Sequence, residues 1–311
     1  MKKSVLVIAL ALGVTGAFAQ DLTSKKGEPI LPEAEDWAIS LDGAPIFSFV
    51  GNAFNGTAAN AAPGVNWLNG NQTIIGKKFI DEKNAYRVLV RLGFTNQTYK
   101  NMVVDNAAIP PTTATFDAPA MVEDKFKMRN TNIGIGVGKE MRRGKTRLQG
   151  YYGADAMIWI SMSSNKMEYG NTMSPLNGTG TTTTPTSTTW NTTTGAVLGA
   201  AGTASRAVSS KSGMTFGLGV RGFIGAEYFI FPKMAIGAEY GWGIGYQMSG
   251  KGKSTQEYQQ VIGTTNTVGE TETETSGSSK FGFDTDLNQG NIFGFKGSNT
   301  GTASLRLTLH F

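Results

Sequence analysis

Residues 304–311 read Ser304-Leu305-Arg306-Leu307-Thr308-Leu309-His310-Phe311. Leu305, Leu307, Leu309 and Phe311 fall on one side, and Ser304, Arg306, Thr308 and His310 on the other. A period of two is the period of a β-strand, so the segment predicts a strand with one apolar and one polar face. Each face needs its own medium. Any fold for this chain must give the apolar face something other than water and the polar face something other than oil.

The same alternation recurs upstream. It predicts eight strands, over 37–51, 72–80, 85–99, 125–140, 146–163, 211–230, 234–248 and 291–311. In 85–99, Tyr86, Val88, Val90, Leu92 and Phe94 oppose Arg87, Leu89, Arg91 and Gly93. In 211–230, Phe216, Leu218, Val220, Ile224, Ala226 and Tyr228 oppose Gly217, Gly219, Arg221 and Glu227. In 234–248, Met234, Ile236, Ala238, Tyr240, Trp242, Ile244 and Tyr246 oppose Gly237, Glu239, Gly241, Gly243, Gly245 and Gln247. The strand over 72–80 is blurred by Lys77 and Lys78. In 37–51, Phe47 and Phe49 share a face opposite Ser48.

The connections sort by length. Short turns are expected at 81–84, 142–145 and 231–233, and long loops near 52–71, 101–123, 164–210 and 250–290. Turns and loops alternate along the chain, which puts both termini on the short-turn side. That is the sidedness of an outer-membrane β-barrel: short periplasmic turns and long extracellular loops. A soluble β-sandwich has no reason to segregate its connections this way, and its strands run to only about 5–6 residues. Several strands here exceed the roughly 9–11 residues that cross a bilayer. The tract 179–194, almost all Thr, is expected to be a mobile part of its loop.

The start of the chain agrees with export. Lys2 and Lys3 precede an apolar run, and Ala17-Phe18-Ala19 has the small-x-small form of a signal-peptidase site, predicting removal of 1–19 and a polar periplasmic leader over 20–36. Cleavage removes Lys2 and Lys3 and no acid, so the formal charge falls from +5 to +3. That balance argues against a nucleic-acid partner. The chain has no Cys, which excludes a disulfide scaffold, thiolate metal sites and cysteine nucleophiles.

A barrel of eight strands has an interior just wide enough for side chains. The polar faces would put Arg87, Arg91, Arg147, Asp155, Arg221, Glu227, Glu239, Arg306 and His310 inside it. Inward Gly gives long side chains room. The reading is a structural network of Arg–carboxylate pairs, in preference to a selectivity lining. Tyr86, Tyr152, Tyr228, Phe229, Phe231 and Phe311 are expected in a periplasmic aromatic girdle, and Phe94, Trp242 and Tyr246 in an outer one.

The segment Trp37-Ala38-Ile39-Ser40-Leu41-Asp42-Gly43-Ala44-Pro45, with Val50-Gly51-Asn52-Ala53-Phe54 after it, resembles the start of small outer-membrane β-barrel proteins of the Bacteroidota. These are similar in architecture to OmpA/OmpX-type eight-stranded barrels. The resemblance covers 37–311 and is mainly architectural. It implies a single transmembrane barrel, a place in the cell outer membrane, and outer-membrane lipid as surroundings. It also implies that Leu307, Leu309 and Phe311 form a C-terminal assembly signal read by the barrel-assembly machinery. No peptidoglycan-binding domain is expected beyond Phe311.

Chemistry is largely excluded. His310 is the sole His and falls at the periplasmic end, away from where Ser–His barrel enzymes work. No HExxH, P-loop or metal cluster occurs. The Gly134-x-Gly136-x-Gly138 and Gly241-x-Gly243-x-Gly245 runs have the wrong spacing for nucleotide loops and lie in strands. The run Glu270–Glu274 reads as a solvated loop. The expectation is therefore no catalysis and no cofactor. It is a structural or surface-interaction barrel that meets other outer-membrane or surface proteins through its loops, with an accessory subunit as a variant. A passive small-solute pore is the alternative.

Overall fold

The computed structural model describes residues 22–56, 73–107, 118–174, 184–285 and 304–311. Ala17 and Ala19 of the expected cleavage site lie outside them. The described elements are β1 (Trp37–Asp42), α1 (Ala44–Phe54), β2 (Ile74–Asp81), β3 (Asn84–Val104), β4 (Met121–Arg143) and β5 (Leu148–Glu168). There follow β6 (Thr186–Trp190), β7 (Val197–Gly202), β8 (Ser205–Lys211), β9 (Thr215–Phe231) and β10 (Met234–Ser249). The last are β11 (Gly252–Ile262), β12 (Thr265–Thr275), β13 (Ser278–Thr285) and β14 (Ser304–His310).

Twelve of these strands form one antiparallel sheet, and β6 and β7 a second. The pairing is ring-like. It runs β1–β2–β3–β4–β5–β9–β10–β14 and returns to β1, where Ala38 pairs with His310 and Asp42 with Arg306. The other four strands of the large sheet extend it beyond one end of the ring. There β5 pairs with β8, β8 with β11 and β11 with β12, while β13 pairs with the far half of β10.

Three hairpins close the opposite end, where the expected short turns lie. At the first, Asp81 accepts hydrogen bonds from the Lys83 N–H (2.7 Å) and the Asn84 side-chain amide, a turn its short carboxylate favours. At the third, Lys233 takes a φ of 59° after Pro232.

Several boundaries differ from expectation. The first strand ends at Asp42, not at 51, and α1 follows. Pro45 has no N–H to give a ladder and sits in the helix's first turn, where none is needed. Three of the expected loops carry strands. β3 and β4 reach into 101–123, β5 to β8 fill the described part of 164–210, and β11 to β13 fill that of 250–290. The sequence shows why: Thr-rich alternation such as Thr265–Thr275 has strand propensity, although its polarity reads as loop. Much of the expected last strand, 291–303, lies outside the described residues. No helix among the described residues is long and apolar enough to cross a membrane.

Candidate functional site

Alternate residues of the ring strands point inward, and they are mainly glycine, charged or aromatic. Lys77, Arg87, Arg91, Arg142, Arg221 and Arg306 are buried there with the carboxylates of Glu140, Asp155, Glu227 and Glu239. The Lys77 ammonium lies 2.9 Å from Glu140, which also pairs with Arg142 at 3.1 Å. Arg142 pairs with Glu227 as well. Arg87 of β3 reaches across to Glu239 of β10 at 3.0 Å, and Arg221 of β9 meets the same carboxylate at 2.8 Å. Asp155 stands 3.4 Å from Arg221 and 3.5 Å from Arg87. The ion pairs therefore link β2, β3, β4, β5, β9 and β10 through the middle of the ring.

Aromatic rings fill what the charges leave. The Arg87 guanidinium lies over the Phe223 ring at 3.8 Å and the Lys77 ammonium over Tyr151 at 4.8 Å, contacts suited to desolvated cations. Glycines give the cluster its room. A methyl group at Gly241 would collide with the Arg221 guanidinium, and one at Gly138 with the Asp155 carboxylate.

The expected interior residues divide into groups. Arg87, Asp155, Arg221, Glu227 and Glu239 lie in the cluster. Arg91 and Arg306 are also buried; Arg306 acts electrostatically on Glu239 and donates to the Thr73 carbonyl at 3.1 Å. Arg147 stands apart: half-buried near the turns, it donates to the carbonyls of Phe229 and Ile230. His310 sits inside the turn end, its ring 5.5 Å from Phe79 and 5.2 Å from Phe229 between centroids. Phe229, expected in an outward girdle, is fully buried inside.

Sequence reasoning missed Lys77, Glu140 and Arg142. The signals were present. Lys77 alternates with Ile75 and Phe79, and Glu140 and Arg142 continue the parity of Gly134, Gly136 and Gly138. Of the proposed assembly signal, Leu309 and Phe311 are exposed on the outer face and Leu307 is half-buried there.

Other segments pack against the ring strands at both ends. At the turn end the segment before β1 folds back: Ile30 is 1 % exposed against Phe229 and Ala235, and Asp36 pairs with Lys233. The expected extended leader is thus packed in its described part. At the other end the β6–β7 hairpin lies on the inward side of β3, β4 and β5. Trp190 stacks on Phe126 at 5.7 Å, within a cluster that includes Met128 and Met167. Asp124, fully buried, accepts from the N–H and hydroxyl of Thr188 and from the Gly170 N–H. Arg206 donates to Glu257 and to the Asn171 carbonyl and lies 4.2 Å from the Tyr169 ring centre. Burial pushes the Tyr169 phenol up to about 12. The tract 179–194 was expected to be mobile, yet its described second half is this packed strand; 179–183 lie outside the described residues.

The outward face of the ring is the reverse of its inside. Val88, Leu92, Ile135, Val137, Ile158, Leu218, Val220, Ile224, Ile244 and Leu309 are exposed on it, bordered by exposed Tyr86, Phe94, Tyr152, Tyr228, Phe231, Trp242 and Phe311. Glu270, Glu272 and Glu274 alternate along β12, and the latter two pair with Lys253 and Lys251. No group of three or more His, Cys, Asp or Glu side chains suited to a metal ion occurs among the described residues. Comparison of the chain with protein-family models, with curated proteins and with solved structures found no match in any of the three.

Proposed function

We propose that the chain is an eight-stranded β-barrel of the outer membrane that presents a folded surface for interaction with other proteins. One observation carries the reading: the ring's faces are inverted, with large apolar side chains outside and ion pairs inside. An exposed apolar surface that encircles the ring far exceeds what soluble monomers leave bare. Lipid around it removes the cost, and a closed cycle of strands satisfies the backbone as a lipid interior requires. The three short hairpins at one end and the long connections at the other support the expected sidedness, in which the hairpins would be periplasmic.

The role lies in the long connections. They are built into packed structure, with a buried Asp, a stacked Trp and a sheet that continues past the ring. Packing of this kind holds a surface in one shape, which suits recognition. The accessory-subunit reading belongs to the same class. The cross-linked interior disfavours the pore reading, since its ion pairs join strands across the middle of the ring. Among the described residues no catalytic constellation supports the enzyme reading.

Vesicle insertion tests the barrel. Purified chain should fold into phosphatidylcholine vesicles with its ring strands protected from trypsin; a chain that stays soluble and monodisperse without detergent overturns the reading. Gentle solubilisation followed by affinity capture tests the role. A stoichiometric complex that is lost when 186–202 is replaced by a short linker supports it, and a lone monomer overturns it. Discrete conductance steps in planar bilayers would replace it with the pore.

A further inference from the structure

On β3, β4 and β5 the outward face changes character within one row. Phe94, Thr131 and Met162 stand side by side at the edge of the apolar belt. The next outward row is Asn96, Arg129, Ser164, Lys211 and Lys253, paired in turn across β3, β4, β5, β8 and β11. One row farther Lys127 sits directly opposite Lys166, and beyond them Lys100 opposite Lys125. All seven cations reach solvent; Lys125 and Lys127 are half-buried and the other five exposed.

The local acids do not match them. Glu168 serves both Lys127 (2.8 Å) and Lys166 (3.1 Å), and Glu123 serves both Lys100 (3.1 Å) and Lys125 (3.2 Å). Lys253 has Glu272 and Glu274 of β12. Among the described residues Arg129 and Lys211 have no acidic group within salt-bridge distance, and they stand nearest the belt. Like charges opposite one another on a sheet face destabilise it unless something anionic shares them. Among the described residues the enrichment does not extend to β10 and β13. The far half of β10 and its partner β13 present Tyr246, Met248 and Phe281 on the outward face instead, with Tyr246 opposite Phe281.

We propose that this sector is a binding site for phosphate-bearing lipid head groups of net negative charge in the leaflet around the belt. The assignment rests on the barrel reading, because that reading puts acyl chains against the belt and head groups one row above it. Arg129 would meet a phosphate with its two-pronged donor set, and Lys127, Lys166 and Lys211 would add mobile charges around it.

The test uses the folded full-length chain in neutral detergent micelles. Phosphatidic acid or phosphatidylcholine is titrated in, and bound lipid is read by native mass spectrometry. The phosphatidic acid preference should exceed about tenfold, weaken with salt, and disappear in the variant Lys127→Gln, Arg129→Gln, Lys166→Gln, Lys211→Gln. Far-UV circular dichroism checks that the variant folds, and the salt dependence of the unaltered chain is a second readout should it not. Equal affinity for the two lipids, no salt dependence, or an undiminished preference in the folded variant overturns the site. Competition by excess inorganic phosphate overturns the lipid assignment in favour of a free anion. Micelle binding does not depend on vesicle insertion, so failure of the barrel reading would show separately.

Discussion

The two halves of β4 and β5 have the same backbone and opposite chemistry. In the half within the ring, Ile135 and Val137 of β4 point outward and Glu140 and Arg142 inward. In the half beyond it, Lys125, Lys127 and Arg129 point outward and Phe126 and Met128 inward. β5 does the same, with Ile158 outside and Asp155 inside, then Lys166 outside and Met167 inside. The pairing of β3, β4 and β5 runs through the change with no register shift. Parity therefore never flips; what flips is which face is apolar. In the proposed reading the cause is the medium outside, lipid along the ring and water beyond it. A core is a face turned away from its solvent, and the same strand can have two solvents.

The comparison breaks most directly at the buried cluster. Glu140→Ala would leave Lys77, Arg87 and Arg142 with less compensating charge in a dry interior. Removing one partner of a buried ion pair costs about 3–5 kcal/mol. The urea midpoint of vesicle-inserted protein, followed by tryptophan fluorescence, should fall accordingly; an unchanged midpoint would mean that water already reaches the cluster. The outward faces give the next contrast. Ile158→Arg should cost about 2–4 kcal/mol if that position meets the bilayer interior, whereas Ser164→Arg, three outward rows along the same strand, should cost about 0–1 kcal/mol. Equal costs at the two sites would remove the boundary that separates the halves.

Much of this was legible from alternation alone, because a period of two assigns each strand residue to a face by its position in the chain. The alternation of β9 and β10 shows it: Leu218, Val220 and Ile224 are outside, and Arg221, Glu227 and Glu239 inside, as their parity predicts. The failures have physical causes. Lys77 next to Lys78 obscures β2, since a buried Lys is rare unless it is paired, and its partners lie 63 and 150 residues away in Glu140 and Glu227. Arg142 reads as a turn residue because the Arg142-Arg143-Gly144-Lys145 run looks solvated, yet β4 continues through Arg143. Phe229 is grouped with Tyr228 in the expected girdle although the two have opposite parity. Most of the outer sheet is hidden because its strands are polar on both faces, and polarity without an apolar partner face reads as loop. The Trp190–Phe126 stack that orders the hairpin joins segments 64 residues apart, which no local pattern announces.

Glycine in the ring offers a finer probe of how tightly the inside is packed. Gly241 lies against the Arg221 guanidinium, which Asp155 and Glu239 hold on its other sides. Gly241→Ala should cost about 1–3 kcal/mol, the usual range for overpacking, because the arginine cannot move without giving up a carboxylate. Gly199→Ala on β7, where an added methyl meets open space, should leave the midpoint unchanged. A harmless Gly241→Ala would show that the arginine has a second position, and so that the interior is looser than its ion pairs suggest.

The smallest expected effect is the one that separates the two kinds of charge. Lys127 and Glu168 form an ion pair of 2.8 Å, the same length as that of Arg221 with Glu239 in the ring, but their side chains are 41 % and 36 % exposed. The Lys127 hydrogen bond, and then that of Lys166, holds the Glu168 carboxyl below its ordinary range. A depressed carboxylate pKa contributes stability that is present above the unfolded value and lost as pH falls through the folded one. The loss therefore belongs below the ordinary carboxylate value of 4.5. Solvent screening leaves little of it, since exposed pairs contribute a small fraction of what buried ones do. Lys127→Ala should consequently leave the urea midpoint at neutral pH within error, and its effect should not depend on pH between neutrality and about 5, in the same assay that registers Glu140→Ala. A loss at Lys127 as large as that at Glu140 would mean that the outer face of β4 is covered by something dry. Charge alone, without burial, would then no longer tell the inside of this molecule from its surface.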